Sequence, residues 1–242
     1  MNNANLVLRN VTVTIERRII LDKISLELGP GIHSLVGPNG AGKTTLLKSI
    51  AGIIDYEGEI LYNGKVLDSL NVAYSPATPI VDPLALVSDI LKAGVYNSRG
   101  DYQTALRYLQ QLGLSNYLDR RYSSLSSGEQ RLVWIARTLG RKARVVLLDE
   151  PLSFLDVRNQ SLLLETLKRY VKEHNAIVVL TTHEIHYVWY FDSVSVVNKG
   201  VLVYSGEPSK LTKEILENTY NVQLYEVRSD EGIIMYIPRV KR

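Results

Sequence analysis

Apolar and polar residues alternate along residues 6–15, 23–28 and 57–64, with glycine or short polar turns between them. That period of two predicts three strands of an antiparallel sheet. Residues 32–36 (IHSLV) predict a buried strand, and residues 46–52 (LLKSIAG) a helix stopped by glycine. From residue 79 to 140 the spacing becomes helical. Residues 82–94 and 101–113 each predict a helix, the second with Asp101 as N-cap and Gly113 as stop, and a third ends at Gly140. Residues 143–150 (ARVVLLDE) and 176–183 (AIVVLTTH) are unbroken apolar runs separated by a helical stretch over 161–174. They read as parallel strands covered on both faces. The remainder predicts hairpins at residues 198–200 and 229–232 with a helix over 211–220 between them. The expected fold is α/β, with an antiparallel β subdomain and a helical insertion at about 79–140. One domain over 5–242 is expected, with a short C-terminal hairpin and helix at about 206–242.

The chemistry concentrates where strands end. Residues 37–45 read GPNGAGKTT, directly between the buried strand and the first helix. Glycines there let successive amide N–H groups curl around one anion, while Lys43 reaches outer phosphates and Thr44 offers a hydroxyl to magnesium. A plain glycine-rich turn is the alternative. Asp149 and Glu150 follow an apolar run, at the carboxyl end of a buried strand, where open α/β sheets bind ligands. Asp149 is expected to hold magnesium through water and Glu150 to polarise the attacking water, unless the pair only caps a strand before Pro151. His183 ends the second run and could hydrogen-bond a γ-phosphate or that water, or serve as a cap. His33, His174 and His186 read as structural. Ser126 and Glu129 have capping-box spacing. The same serine, Gly128 and the helix N-terminus form a second anion site. One γ-phosphate needs both half-sites, which lie in different lobes, and head-to-tail pairing of two subunits would bring them together.

The 242 residues are 45% hydrophobic and 22% charged, an ordinary globular balance, with net charge +3. Positive residues are scattered except for Arg137, Arg141, Lys142 and Arg144, which read as a solvated helix end, so nucleic acid is not an expected partner. With no cysteine, disulfides and thiolate chemistry are excluded. The apolar runs are far too short to cross a bilayer and the N-terminus lacks a signal-peptide pattern, so a cytoplasmic chain without direct membrane insertion is expected.

In this order, GPNGAGKTT, LSSGE (125–129), VVLLDEP (145–151), SFLD (153–156) and TTH (181–183) resemble the nucleotide-binding subunit of an ABC transporter over about the first 205 residues. The resemblance implies a RecA-like P-loop NTPase core and two subunits sandwiching two ATP molecules. It implies ATP and magnesium as cofactors, ATP hydrolysis to ADP and phosphate, and a place at the cytoplasmic face of the membrane. Its partners would be membrane-spanning transporter subunits and a second copy or a homologous ATPase subunit. Gly37, Pro38, Asn39, Gly40, Ala41, Gly42, Lys43, Thr44 and Thr45 would bind the nucleotide, with Thr44 and Asp149 at the metal. Glu150, His183 and Lys43 are the implied catalytic groups. Ser126, Ser127, Gly128 and Glu129 would face the other subunit's γ-phosphate, and Asp156 would lie on the loop crossing the dimer interface.

The chain departs from the family in three respects. Ala77 stands where a glutamine usually binds the metal, with Thr78 and its hydroxyl beside it. Ile15 stands at the adenine-stacking position, where an aliphatic side chain stacks less well than a ring. Arg131 and Leu132 replace a glutamine-arginine pair. The groove for the membrane partner's coupling helix is implied at about 76–93, where Leu84, Leu86, Val87, Ile90 and Leu91 are mostly core. Residues 206–238 resemble the tail of subunits serving importers of iron chelates and vitamin B12, which implies uptake of a metal chelate or similar solute. The alternatives are an export-type ATPase, a soluble ABC ATPase of repair or translation, and a regulatory nucleotide-binding protein with weak turnover.

Overall fold

The structure, a computed structural model, describes residues 5–230 and 233–239. Strands β1 (Leu6–Ile15) and β2 (Arg18–Leu28) pair antiparallel through a tight turn at Glu16 and Arg17. The second strand starts at Arg18, five residues before its alternation becomes readable. The register explains this, because Val13 pairs with Leu21 and Ile15 with Arg18, whereas Lys23, at a φ of 50°, breaks the period of two. After β3 (Gly31–Val36) and α1 (Lys43–Ile50), β4 (Glu57–Tyr62) adds to the far side of β1 and β5 (Lys65–Val66) follows, giving the order β2-β1-β4-β5.

β6 (Val72–Ser75) returns the chain to a second sheet before three helices, α2 (Val87–Val95), α3 (Tyr102–Gln111) and α4 (Ser127–Leu139). α2 starts later than its sequence suggests. Asp82 instead accepts the Leu84 N–H at 2.9 Å, and Leu86 bridges to Arg121, so residues 82–86 form a turn and a bridge. Asp101 does cap α3, accepting the Thr104 N–H at 2.7 Å.

β7 (Val145–Leu148), α5 (Val157–His174), β8 (Ile177–Thr182), β9 (Ser193–Asn198) and β10 (Val201–Gly206) complete the sheet, ordered β10-β9-β3-β8-β7-β6. All but β10 run parallel. Every residue of β3, β7 and β8 is buried because both faces are covered. Val145, Leu147, Ile177 and Val179 pack toward α1 and the antiparallel sheet. Val146, Leu148, Val178 and Leu180 pack toward the helices. The parallel sheet thus places the carboxyl ends of β3, β7 and β8 side by side.

The tail contains α6 (Lys213–Tyr220) and the pair β11 (Leu224–Arg228) and β12 (Ile234–Pro238). Leu211, Leu216, Leu224 and Tyr236 pack on Val36, Val194 and Val196. Glu231 and Gly232 of the expected hairpin turn lie outside the described residues. Among the described residues no helix is long and apolar enough to cross a membrane. The basic cluster is not a solvated helix end. Arg137 and Arg141 are half-buried beside α2, Lys142 pairs with Asp101 at 2.8 Å, and Arg144 donates to the His174 carbonyl.

Candidate nucleotide site

The loop from Val36 to Lys43 owes its path to two glycines. At Gly37, φ 152°, an added Cβ would lie 2.1 Å from the Val197 carbonyl oxygen, and at Gly42, φ 105°, 2.6 Å from Leu21 Cδ2. Any larger residue would push the loop off both neighbours. Gly42 is the N-cap of α1, so the helix's unpaired amides and positive end open onto this loop. Lys43 folds back over it, donating from Nζ to the carbonyls of Gly37 at 2.6 Å and Pro38 at 3.0 Å. Burial pulls the pKa of this ammonium down, and the fields of Glu150 and Asp149 oppose that shift.

The opposite wall comes from β7 and β8. Asp149 is 2% exposed and accepts hydrogen bonds from Thr44 Oγ1 at 2.9 Å, Thr181 Oγ1 at 2.7 Å and the Tyr74 hydroxyl at 3.4 Å. Thr181 also accepts the Glu150 N–H at 2.7 Å, so one hydroxyl ties both acidic residues to β8. Glu150 sits at a φ of 52°, and its Oε1 contacts His183 Nε2. Left-handed backbone at a non-glycine residue is uncommon, and here it turns the carboxylate out of the sheet. Residues 39–45, Ile20, Glu150 and His183 line one cavity of about 650 Å³.

Ile15 is not on that wall. It ends β1 opposite Arg18, 42% exposed, and Ile20 occupies the wall instead. The β-turn decides between them: β2 runs back past Gly42, with the Ile20 carbonyl oxygen 3.3 Å from a Cβ built there.

Ser126, Ser127, Gly128 and Glu129 open α4 elsewhere on the molecule. Ser126 N–H donates to Glu129 Oε2 at 2.7 Å and Glu129 N–H to Ser126 Oγ at 3.3 Å, a complete capping box. None of the four lines the large cavity. Ser127 lines a smaller one of about 190 Å³ with Ala77, Thr78 and Phe154. Asp156 caps α5, accepting the Asn159 N–H at 2.8 Å. Arg131, at 6% exposure, donates to the Pro76 carbonyl at 2.9 Å and ties α4 to the segment leaving β6. Thr181 was visible only as part of a motif, and Tyr74 carried no signal, since both act by spatial adjacency to Asp149.

The sequence pattern described as ABC transporter matches residues 21–153, more than half of the chain. This chain belongs to the ABC transporter family. It is an ATP-binding subunit of that family and an ATPase. The ABC subunit is similar to the manganese transport system ATP-binding protein MntB of Listeria monocytogenes, 30% identical over 88% of this chain and 95% of that protein. It is 34% identical to the zinc import ATP-binding protein ZnuC of Pseudomonas fluorescens over 88% of this chain and 80% of that protein. Among solved structures, one described as an inward-facing metal-chelate type ABC transporter aligns with a TM-score of 0.83 at 27% identity, covering 99% of both chains. In the ABC subunit the loop of residues 37–45, the α4 capping box and Asp149–Glu150 all fall within the matched region, and His183 lies beyond it.

Proposed function

We propose that this ABC ATPase drives uptake of a metal-bearing small solute, as one of two nucleotide-binding subunits that close on ATP beside membrane-spanning partners. The observation that carries the reading is the convergence of Lys43, Thr44, Glu150 and His183 on one cavity, with Asp149 held against Thr44 behind it. Uptake is supported by the relatives' names, which include manganese, zinc and hemin systems. Residues 5–242 act as one domain, with residues 79–140 as the lobe toward the membrane partners and 206–242 as an extension, all at the cytoplasmic face.

In this reading residues 37–45 wrap the β- and γ-phosphates with backbone amides, and Lys43 leaves its carbonyl partners for phosphate oxygens. Thr44 and Asp149 offer only oxygen donors, which suits magnesium, and among the described residues no cluster of three or more metal-ligating side chains forms a self-contained cage. Magnesium held there, through water at Asp149, would supply charge neutralisation to the phosphates. Glu150 takes a proton from the attacking water as the new bond to the γ-phosphorus forms and the bond to ADP breaks. His183 orients the Glu150 carboxylate and donates toward the γ-phosphate. Ser126 to Glu129 of one copy complete the site of the other, with Asp156 at the crossing.

Phosphate release by wild type and Glu150→Gln, with mass measured by light scattering, tests this. The variant should lose hydrolysis by roughly 100-fold or more, keep ATP, and double its mass in ATP. Unchanged phosphate release, or a variant monomeric in saturating ATP and magnesium, overturns the reading.

A further inference from the structure

The C-terminal extension reaches the 37–45 loop from behind. α6 is anchored by buried Leu216 and Thr219 and ends at Tyr220, whose ring packs in the cluster that contains Val36, the residue before Gly37. The Tyr220 hydroxyl is shut off from solvent and has no hydrogen-bond partner among the described residues. Burial pushes its pKa up to about 12, and the Gly37 amide, acting on the phenol oxygen, opposes that shift. Gly37 is itself buried, and among the described residues its N–H donates to no backbone carbonyl. A donor and an acceptor, both out of water, thus face each other without a hydrogen bond between them. Buried backbone N–H groups are rarely left this way, because each one costs about as much as a lost hydrogen bond.

What keeps the two apart is on the other side of Gly37. Its carbonyl accepts from Lys43 Nζ at 2.6 Å, and the Pro38 carbonyl does so at 3.0 Å, so the lysine fixes the turn at the loop entrance. When Lys43 turns to phosphate oxygens, that tie is released and the Gly37 amide can rotate onto the phenol oxygen. Tyr236, in the same cluster, shows the purely structural alternative: its hydroxyl already donates to the Leu211 carbonyl at 2.9 Å. We propose that Tyr220 is a positioning residue of the ATP site, its phenol oxygen accepting the Gly37 N–H once Lys43 has left the Gly37 carbonyl for ATP, so that α6 holds the loaded form of the phosphate loop. The proposal rests on the reading of residues 37–45 given above and deepens it. Because the bond forms only with ATP in place, the hydroxyl contributes to nucleotide affinity and not to the stability of the chain alone.

Tyr220→Phe in the full chain keeps the ring and removes the oxygen. Its KM for ATP should rise roughly 3–10-fold, the worth of one hydrogen bond, with kcat near wild type. Without nucleotide its melting temperature should equal or exceed that of wild type, and the rise produced by ATP and magnesium should shrink. Tyr236→Phe should do the reverse, melting lower with and without ATP while its KM stays unchanged. Lys43→Ala should show no ATP-induced rise in melting temperature. A wild-type KM and a full ATP-induced rise in Tyr220→Phe, with Lys43→Ala blind to ATP, overturn the role of Tyr220 alone. So does an equal rise in KM in Tyr220→Phe and Tyr236→Phe, which would mark a packing effect of the whole cluster. An ATP-induced rise retained in Lys43→Ala overturns the reading of residues 37–45 and the role of Tyr220 with it.

Discussion

Thr181 governs the geometry of the site through one oxygen, donating to Asp149 and accepting from the Glu150 N–H. Partners of this kind orient ligands without touching substrate. Thr181→Val, which keeps the shape and removes the hydroxyl, should lower phosphate release about 10–100-fold and raise the magnesium concentration needed, while Thr181→Ser stays near wild type; equal activity of Val and wild type contradicts the role. His33 illustrates a different residue-scale effect. Its ring contacts Ser193 Oγ at 2.8 Å and the Gly29 carbonyl at 2.8 Å, and burial pulls its pKa below 6.5, against the opposing pull of the Gly29 bond and Asp192. The unfolded chain therefore binds the proton more tightly, so the stability His33 contributes is present above pH 6.5 and is lost as pH falls below it. His174 shifts in the same direction, with burial as its leading cause. Melting temperatures between pH 8 and 5 should fall more steeply in wild type than in His33→Gln.

Two helix caps separate structure from chemistry at the next scale. Asp101 caps α3 and Ser126 caps α4, and replacing either with alanine should destabilise the fold by about 1 kcal/mol in urea titrations. Only Ser126→Ala should also slow hydrolysis, because only that helix start is assigned to a phosphate; equal loss in both variants removes the assignment. α6 is a packing element. Leu216 is 0% exposed in a cluster with Val36, at the end of β3 before the 37–45 loop, and Val194 and Val196 of β9, so Leu216→Ala should destabilise by roughly 2–5 kcal/mol. The caps, the buried strands and the long helices were legible because their signals are local: a serine three residues before a glutamate, or a run of β-branched residues. The start of β2 and the turn over residues 82–86 were not, since strand partners and a bridge to Arg121 set them.

The whole molecule divides the expected chemistry between two surfaces, with the phosphate loop, Glu150 and His183 on one cavity and the α4 start on another. If two copies complete each other's sites, phosphate release per chain should rise with protein concentration and approach a plateau as dimers form. A rate per chain independent of concentration across that range excludes the pairing. The amino-acid sequence alone determined where the glycine-rich loop of residues 37–45, the acidic pair, His183 and the capping box stand relative to the strand and helix ends, because a strand end followed by glycines or carboxylates is a pattern written within a few residues. Only the tertiary structure decided that Ile20 and not Ile15 lines the cavity, that Thr181 and Tyr74 hold Asp149, and that Arg137 and Arg141 pack against Gly94 of α2 instead of lying in solvent. Those outcomes follow from which strands lie side by side, Ser75 beside Leu148 and Leu148 beside Leu180, and from α2 closing on α4 at Gly94. Sheet order and helix contact join residues far apart in the chain, and no local pattern encodes such distances.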